Sequence, residues 1–397
     1  MKEKYIEETF SKLEDYCQRE SFKGYDPFDG LNSNLFKYFQ ELIRSSIFKL
    51  AWIQFFKRSP INFRKIAGIN KEFNPKGLGL FLSAYCNLYR INPSTKNLDQ
   101  IHYFIDLIKT YQSTGYSGAC WGYNFDWQSK AFFQPKGTPS IVVTSFVTCA
   151  LLDAYEIIKE EELIDIASSA CNFVLNDLKR TYDRDGDFAF SYSPLDSTQV
   201  FNASLLGARL LSRTYSHFKN PTLIQESQKV VSFVCKHQQI NGAWSYSPLP
   251  FHQWIDNFHT GYNLECIYTY QTISGDQSFQ NQLSKGLDYY LTTFFEDSGL
   301  PKYYCNSKYP VDMHTTAQLL VTLSKMKILD QNKELVNKVL AWSINEMFDK
   351  RNGCFYYYKE KYFTNKISYM RWTQAWMLLG LSHYLMHRQN NQIILQK

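Results

Sequence analysis

The sequence predicts an all-α protein: a single (α/α)6 toroid in which six helical hairpins close into a ring. Three observations point there. A Gly-aromatic turn, a polar junction, an apolar helix, a linker and a second, more amphipathic helix follow one another five times. The turn glycines stand about 55 to 65 residues apart, room for two helices and their loops. No strand–helix–strand rhythm and no glycine-rich nucleotide loop breaks the pattern. An open helical solenoid is the alternative, but short connections favour antiparallel neighbours that curl into a closed ring.

The elements follow in order. Residues 1–23 read as a short amphipathic helix ahead of a toroid spanning 24–390. Gly24 to Ser33 is a loop rich in Asp, Gly and Pro. Tyr38 to Phe56 has helical spacing, with Leu42, Ile43, Ile47, Leu50, Ala51 and Ile53 on its apolar face. Pro60 cannot continue it. After Asn74-Pro75-Lys76-Gly77 an apolar helix carries Leu78, Leu80, Phe81, Ala84 and Leu88, and Asp99–Gln112 forms another. The repeat then becomes legible. Its turns are Trp121-Gly122-Tyr123, Gly186-Asp187-Phe188, Gly242-Ala243-Trp244, Gly299-Leu300-Pro301 and Gly353-Cys354-Phe355. The apolar helices behind them include Ser140–Tyr155, Val200–Tyr215, His259–Tyr270, Thr315–Lys325 and Arg371–Tyr384. Leu163–Leu178, Leu223–His237, Ser278–Phe295 and Lys333–Met347 are their partners. No Gly/Ser/Pro linker or charge block divides the chain, so one domain is expected.

Bulk properties narrow the function classes. With 397 residues and 44% hydrophobic content, a large core forms without staples. The net charge of +6 is scattered, which argues against nucleic acid and is compatible with an anionic substrate. Met1 to Glu8 has no apolar core and so is not read as a signal peptide. No uninterrupted apolar run of about eighteen residues appears, so membrane insertion is not expected. Nine cysteines without ligand spacing read as free thiols in a reducing, cytoplasmic setting.

In a toroid the polar junctions before the inner helices converge at one mouth. They supply Tyr123, Asp126, Trp127, Gln128, Thr138, Ser140 and Thr144, then Tyr192, Asp196, Gln199 and Asn202. Trp254, Asp256, Asn257 and His259 follow, with Tyr303, Asp312, His314 and Gln318 one repeat on and Tyr369, Arg371, Trp372 and Gln374 last. Asp26, Asp29 and Asn32 close the ring from the N-terminal side. Capping alone explains Asp256, Asp312, Ser140 and Asn202 taken singly. Two histidines at equivalent places, an arginine and several carboxylates together fit a titratable cleft better. Tyr123, Trp127, Trp254 and Trp372 offer stacking faces for sugar rings.

Three chemistries fit this set. Paired carboxylates among Asp126, Asp256 and Asp312 would hydrolyse a glycosidic bond. A lyase or epimerase acting on a uronic acid or N-acylated sugar needs a base near pH 7 and a cation or donor for the carboxylate or developing enolate, jobs that His259, His314 and Arg371 suit. A terpene-cyclase-like enzyme ranks third, because Gln238-x-x-x-Gly242-x-Trp244 matches its QW turn only once. We expect general acid/base work from Asp256, His259, Asp312, His314 and Asp126. Arg371 is expected to hold an anionic group, with Tyr123, Trp127, Gln128, Asn202, Trp254, Asn257 and Trp372 binding substrate. No metal or cofactor is expected, since no Cys/His ligand spacing or EF-hand appears. Calcium at the acidic turn Asp183–Asp187 is the minor exception. A non-enzymatic glycan-binding or scaffold protein is the competing class.

The junctions from Trp121 to Gln128, Gly137 to Ser140, Trp254 to Gly261 and Tyr369 to Trp372 resemble those of the VpsJ-type polysaccharide-biosynthesis proteins. The resemblance covers roughly residues 24–385. It implies the toroid shared by six-hairpin glycosidases, lyases and sugar epimerases. It also implies a role in making or trimming a surface polysaccharide, beside other proteins of that synthesis. It implies no particular reaction.

Overall fold

The structure is a computed structural model describing residues 3–39, 45–129 and 132–395. Fourteen helices appear among them: α1 Glu3–Arg19, α2 Asn34–Phe39, α3 Ser46–Arg58, α4 Pro75–Ile91, α5 Thr95–Thr110, α6 Ile141–Ile158 and α7 Glu161–Asn176, followed by α8 Phe201–Phe218, α9 Pro221–Lys236, α10 Asn257–Ser274, α11 Gln280–Thr293, α12 Met313–Lys325, α13 Lys333–Met347 and α14 Ala375–Leu395. The described strands are two or three residues long and pair only as small hairpins and one three-stranded patch.

The even-numbered helices from α4 to α14 pack on one another in sequence order, and α14 closes back onto α4. That is the inner ring of an (α/α)6 toroid. Helices α5, α7, α9, α11 and α13 each lie outside the inner helix that precedes them in the chain. The sixth outer place goes to α1, which packs on α14. Helix α1 therefore shares the toroid's core, where Ile6, Phe10, Leu13 and Cys17 are buried.

The glycine turns explain why the outer helices stand so close. Gly242 follows α9 with φ +91°, a conformation that costs glycine little. A Cβ there would lie 2.3 Å from the carbonyl oxygen of Lys285 on α11, the next outer helix. Gly353, with φ +78°, makes the same approach to Lys12 on α1, at 2.6 Å. The turn after α13 thus treats α1 as the next member of the outer ring. In the first repeat this place belongs to Gly118, whose Cβ would meet the Ser169 carbonyl of α7. Gly122, the glycine expected there, instead bridges to Pro139. Trp121 and Trp244 each tie the turn to the end of the preceding outer helix, donating from Nε1 to Ile108 O and Val234 O at 2.8 and 3.0 Å. Gln238 donates to Gly242 O and Gln282 O, so the QW-like turn joins α9 to α11.

Inner helices are buried on nearly every side because both faces are covered, and α6 is the most apolar of them. Helix α6 is the one described helix long and apolar enough to cross a membrane, and 72% of it is buried inside the ring. The crossover before α4 departs from the single helix expected over 38–56. It forms α2 and α3, and Leu42 and Ile43 lie outside the described residues. Helix α3 packs against the turn Asp29–Asn32 and the strand Trp127–Gln128, placing it at the mouth of the ring.

Candidate functional site

Every inner helix begins at the same end of the ring, and its first turn obeys one rule. The residues at the N-cap positions are Asn74, Ser140, Val200, Asp256, Asp312 and Tyr369. Two residues beyond each stand Lys76, Val142, Asn202, Phe258, His314 and Arg371, and all six line one cavity. The last of these sits on a turn of π-helix, Met370–Gln374, whose wider winding also brings Trp372 to the wall. The cavity holds about 230 Å³ and shares Phe28, Trp127, Tyr192, Tyr246 and Trp254 with a neighbouring space of about 390 Å³ under α3. Together they fall in the range of small-molecule sites, about 300–1,000 Å³.

The histidines occupy contrasting settings. Asp256 caps α10, accepting the His259 backbone N–H on Oδ1 at 3.0 Å. Its Oδ2 accepts from Nδ1 of the His259 ring at 2.7 Å. A carboxylate has no proton to give here, so Nδ1 carries the hydrogen and Nε2 is left as an acceptor. The His259 side chain is 22% exposed and lines the cavity. His314 is fully enclosed, stacked between Phe258 and Trp376 at ring distances of 4.3 and 4.2 Å. Burial, with Lys76, His259 and Arg371 nearby, holds its pKa well below the ordinary value and keeps the ring neutral. Its Nε2 shares a 2.7 Å hydrogen bond with the Tyr262 hydroxyl, while Nδ1 is buried without a partner.

Asp312 caps α12 and accepts Trp372 Nε1–H at 2.7 Å. Burial raises its pKa to about 7. It lies behind Trp372 rather than on the cavity wall, so its reach to a ligand is indirect. Asp126 also stays off the wall: it holds a turn by accepting the Lys136 backbone N–H at 2.7 Å. Among the described residues, Asp256 is the one carboxylate lining the cavity. Of the three acids considered for paired-carboxylate chemistry Asp256 lines the cavity, while Asp312 stands behind Trp372, close enough for Asp256 to help raise its pKa.

Arg371 lines the wall, but its charge is already answered. Nε and Nη2 grip the two oxygens of Asp26 at 2.5 and 2.8 Å, with both side chains almost fully buried. Asp29 pairs in turn with Arg64 at 2.7 Å, and Asn32 donates to Asn124 O at 2.9 Å, which fastens the N-terminal loop to the mouth. Asn257 points away, accepting from Tyr290 of α11 at 3.2 Å. The aromatic residues do converge. Trp254, 37% exposed, stacks on Tyr246 with ring centroids 4.5 Å apart, and Trp127 meets Tyr192 and Phe132 at 5.8 Å. Tyr123 stands under the Arg371 guanidinium and its hydroxyl is 3.3 Å from that of Tyr192. Gln128 belongs to the outer space and bonds its own hairpin, at Ser129 O and Phe132 O.

Sequence reasoning missed Lys57, Lys76 and Tyr262 on the wall. The Asn74-x-Lys76 spacing repeats the Asp312-x-His314 spacing, which was the available signal. Lys57 reaches the mouth from α3, where burial lowers its pKa to about 8. Among the described residues no group of three or more His, Cys, Asp or Glu side chains is placed to hold a metal ion. The acidic turn Asp183–Asp187 is filled by Lys236, whose ammonium pairs with Asp183, Asp185 and Asp187.

No protein-family model matches the chain, and no curated protein does. Solved structures do. A cellobiose 2-epimerase from Bacillus thermoamylovorans aligns over 81% of this chain and 90% of its own, with TM-score 0.62 and 11% identity. The GH76 α-mannanase BT2949 of Bacteroides thetaiotaomicron aligns over 81% and 87%, with TM-score 0.60 and 12% identity. A glycosyl hydrolase of family 88 from Bacteroides vulgatus covers 80% and 93%, with TM-score 0.57 and 10% identity. At such identities the likeness establishes the fold, the α/α toroid of six-hairpin glycosidase-like proteins.

Proposed function

We propose that the chain is a carbohydrate-active enzyme that moves protons at a sugar carbon beside a carbonyl or carboxyl group. Epimerases, isomerases and lyases share that first step. The observation that carries the reading is the His259–Asp256 pair on a wall where, among the described residues, no second carboxylate stands. Paired-carboxylate hydrolysis needs two acids flanking the scissile bond. Asp256 is committed to its cap and its histidine, which leaves an oriented imidazole as the working group.

In the proposed step His259 Nε2 takes the proton from the carbon. The electron pair left behind delocalises onto the carbonyl oxygen, where Tyr hydroxyls of the wall stabilise the developing charge. The imidazolium of His259, its hydrogen exchanged with solvent, gives a proton back to the carbon and returns to its starting state. Trp254 on Tyr246, and Trp127, supply faces on which sugar rings stack. That a cellobiose 2-epimerase shares the fold supports the reading. The resemblance of the junctions to VpsJ-type proteins supports a setting in surface-polysaccharide synthesis beside other proteins of that synthesis. The nine unpaired cysteines support a reducing, cytoplasmic location.

The test is solvent exchange in D2O, followed by proton NMR on a panel of reducing neutral sugars and uronates. Wild type should wash deuterium into one carbon position of a panel member, and His259→Ala should lose that exchange while keeping its melting temperature within a few degrees. Exchange that survives His259→Ala, or hydrolysis of a glycoside with no exchange, would overturn the proposal. Sugar binding without any reaction would make the chain a glycan-binding protein.

A further inference from the structure

Lys76 is out of place as a structural lysine. It is 4% exposed and stands two residues past the Asn74 cap of α4. Its ammonium lies 4.3 Å from the Phe146 ring centroid and 5.5 Å from those of Tyr262 and Trp376. Among the described residues no carboxylate pairs with it and no hydrogen bond is made to it. The charges around it are mostly of its own sign. Arg371 acts on it from the turn Met370–Gln374 and Arg209 from α8, while Asp26, whose charge favours the ammonium, is held at both oxygens by Arg371. Arg209 is itself paired with Glu265.

Burying an ammonium without a counter-charge costs several kcal/mol, and an aromatic cage returns only about 0.5–2 of it. Burial and the two arginines accordingly push the Lys76 amine well below its ordinary pKa. A natural chain that kept such a group for packing alone would do better with Met or Leu. Two further polar atoms on the same wall are also left over: His314 Nδ1 and Asn202 Oδ1, both buried and unpartnered. His314 and Lys76 face the same Trp376 and Tyr262 rings. Lys76, His314 and Asn202 thus stand together on the wall of a space about the size of one sugar ring.

We propose that Lys76 is the anion-binding residue of this cavity and that the sugar it selects carries an acidic group. The proposal rests on the reading of the cavity as a sugar site. A carboxylate or phosphate on the sugar supplies the counter-charge that Lys76 lacks. Lys57 at the mouth adds a second positive charge on the way in. The expected anion holder, Arg371, is replaced in that role because Asp26 already neutralises it.

Binding separates this from the reaction. Isothermal titration of the full chain would use D-glucuronate, D-galacturonate and glucose 6-phosphate against D-glucose and D-galactose. Wild type should bind at least one acidic sugar tenfold or more tightly than its neutral counterpart. Lys76→Met, of nearly equal length, should bring the acidic sugar down to the neutral one and leave the neutral affinity within twofold. Raising salt from 50 to 500 mM should weaken only the acidic ligand, a check in wild type that does not depend on the variant folding. The uronate and phosphate arms tell which acid is read. Equal affinity for acidic and neutral sugars, an acid preference that survives Lys76→Met, or no binding by any sugar would overturn the assignment. Neutral sugars that exchange deuterium while acidic ones do not would sink this inference and leave the proton-transfer reading standing. Acidic sugars bound but never exchanged would do the reverse.

Discussion

Asp256→Asn separates the two jobs that one carboxylate performs. Oδ1 caps α10 through the His259 amide at 3.0 Å, and Oδ2 accepts the ring Nδ1–H at 2.7 Å. Asparagine is as good an N-cap as aspartate, so its oxygen keeps the amide and folding stability should shift by less than about 1 kcal/mol. Its NH2 group then faces Nδ1, and two donors cannot share that bond. The imidazole answers by moving its hydrogen to Nε2, which is no longer free to accept a proton from substrate. The same tautomer fault in a serine-protease triad costs about 10⁴ in rate, and general-base catalysis is commonly worth about 10²–10⁴. We therefore expect a fall in exchange rate of about 10²–10⁴, or about 3–5 kcal/mol of barrier. The assay is the initial rate of deuterium wash-in by NMR, run beside a thermal melt on the same preparation. A variant that keeps half the wild-type rate would refute the dyad. So would a rate loss that merely tracks a collapse in melting temperature.

Two other outcomes follow from the buried charges. Asp312 titrates near 7 in the fold against 3.8 ordinarily, so between those values the native state holds a proton that the unfolded state has lost. Its contribution is present below about pH 4 and is lost as pH rises through about 7, at no more than about 1.4 kcal/mol per unit. Asp312→Asn should flatten that part of the slope in urea titrations at pH 5, 6 and 7, and an unchanged slope counts against the burial argument. Arg371→Ala strands Asp26 in the interior, and breaking such a pair costs about 3–5 kcal/mol. A denaturation loss under about 1 kcal/mol would show that the pair is not structural.

Much of this was legible because repeats declare themselves locally. Each inner helix carries its own cap and its own apolar run, so the ring and its polar mouth follow from short windows of sequence. What stayed hidden depends on contacts between distant segments. That α1 fills the sixth outer position is decided by Lys12 meeting Gly353, far along the chain. Asn257 looked like a cleft residue because it adjoins Asp256, but one helical step turns its side chain to Tyr290. Asp126 sat among aromatic residues that do line the mouth, yet the hairpin it organises consumes its oxygen. Lys76 begins a hairpin that precedes the first glycine turn, where the sequence shows no repeat to mark it. Arg371 was found, but its partner Asp26 lies 345 positions away, and only the fold shows that the charge is spent.

The hairpin formed by α1 and α14 has no loop joining its two helices. Of the ring's helices α1 is made before α4, which it meets through Glu14, Gln18 and Tyr85, but its main partner α14 follows only after all the other inner helices. Its apolar stripe of Ile6, Phe10, Leu13 and Cys17 stays available throughout to any chaperone, or to the α14 of another molecule. An exchange of α1 between two chains would complete both rings with the same contacts, so the seam that closes the toroid is also where two copies could interlock.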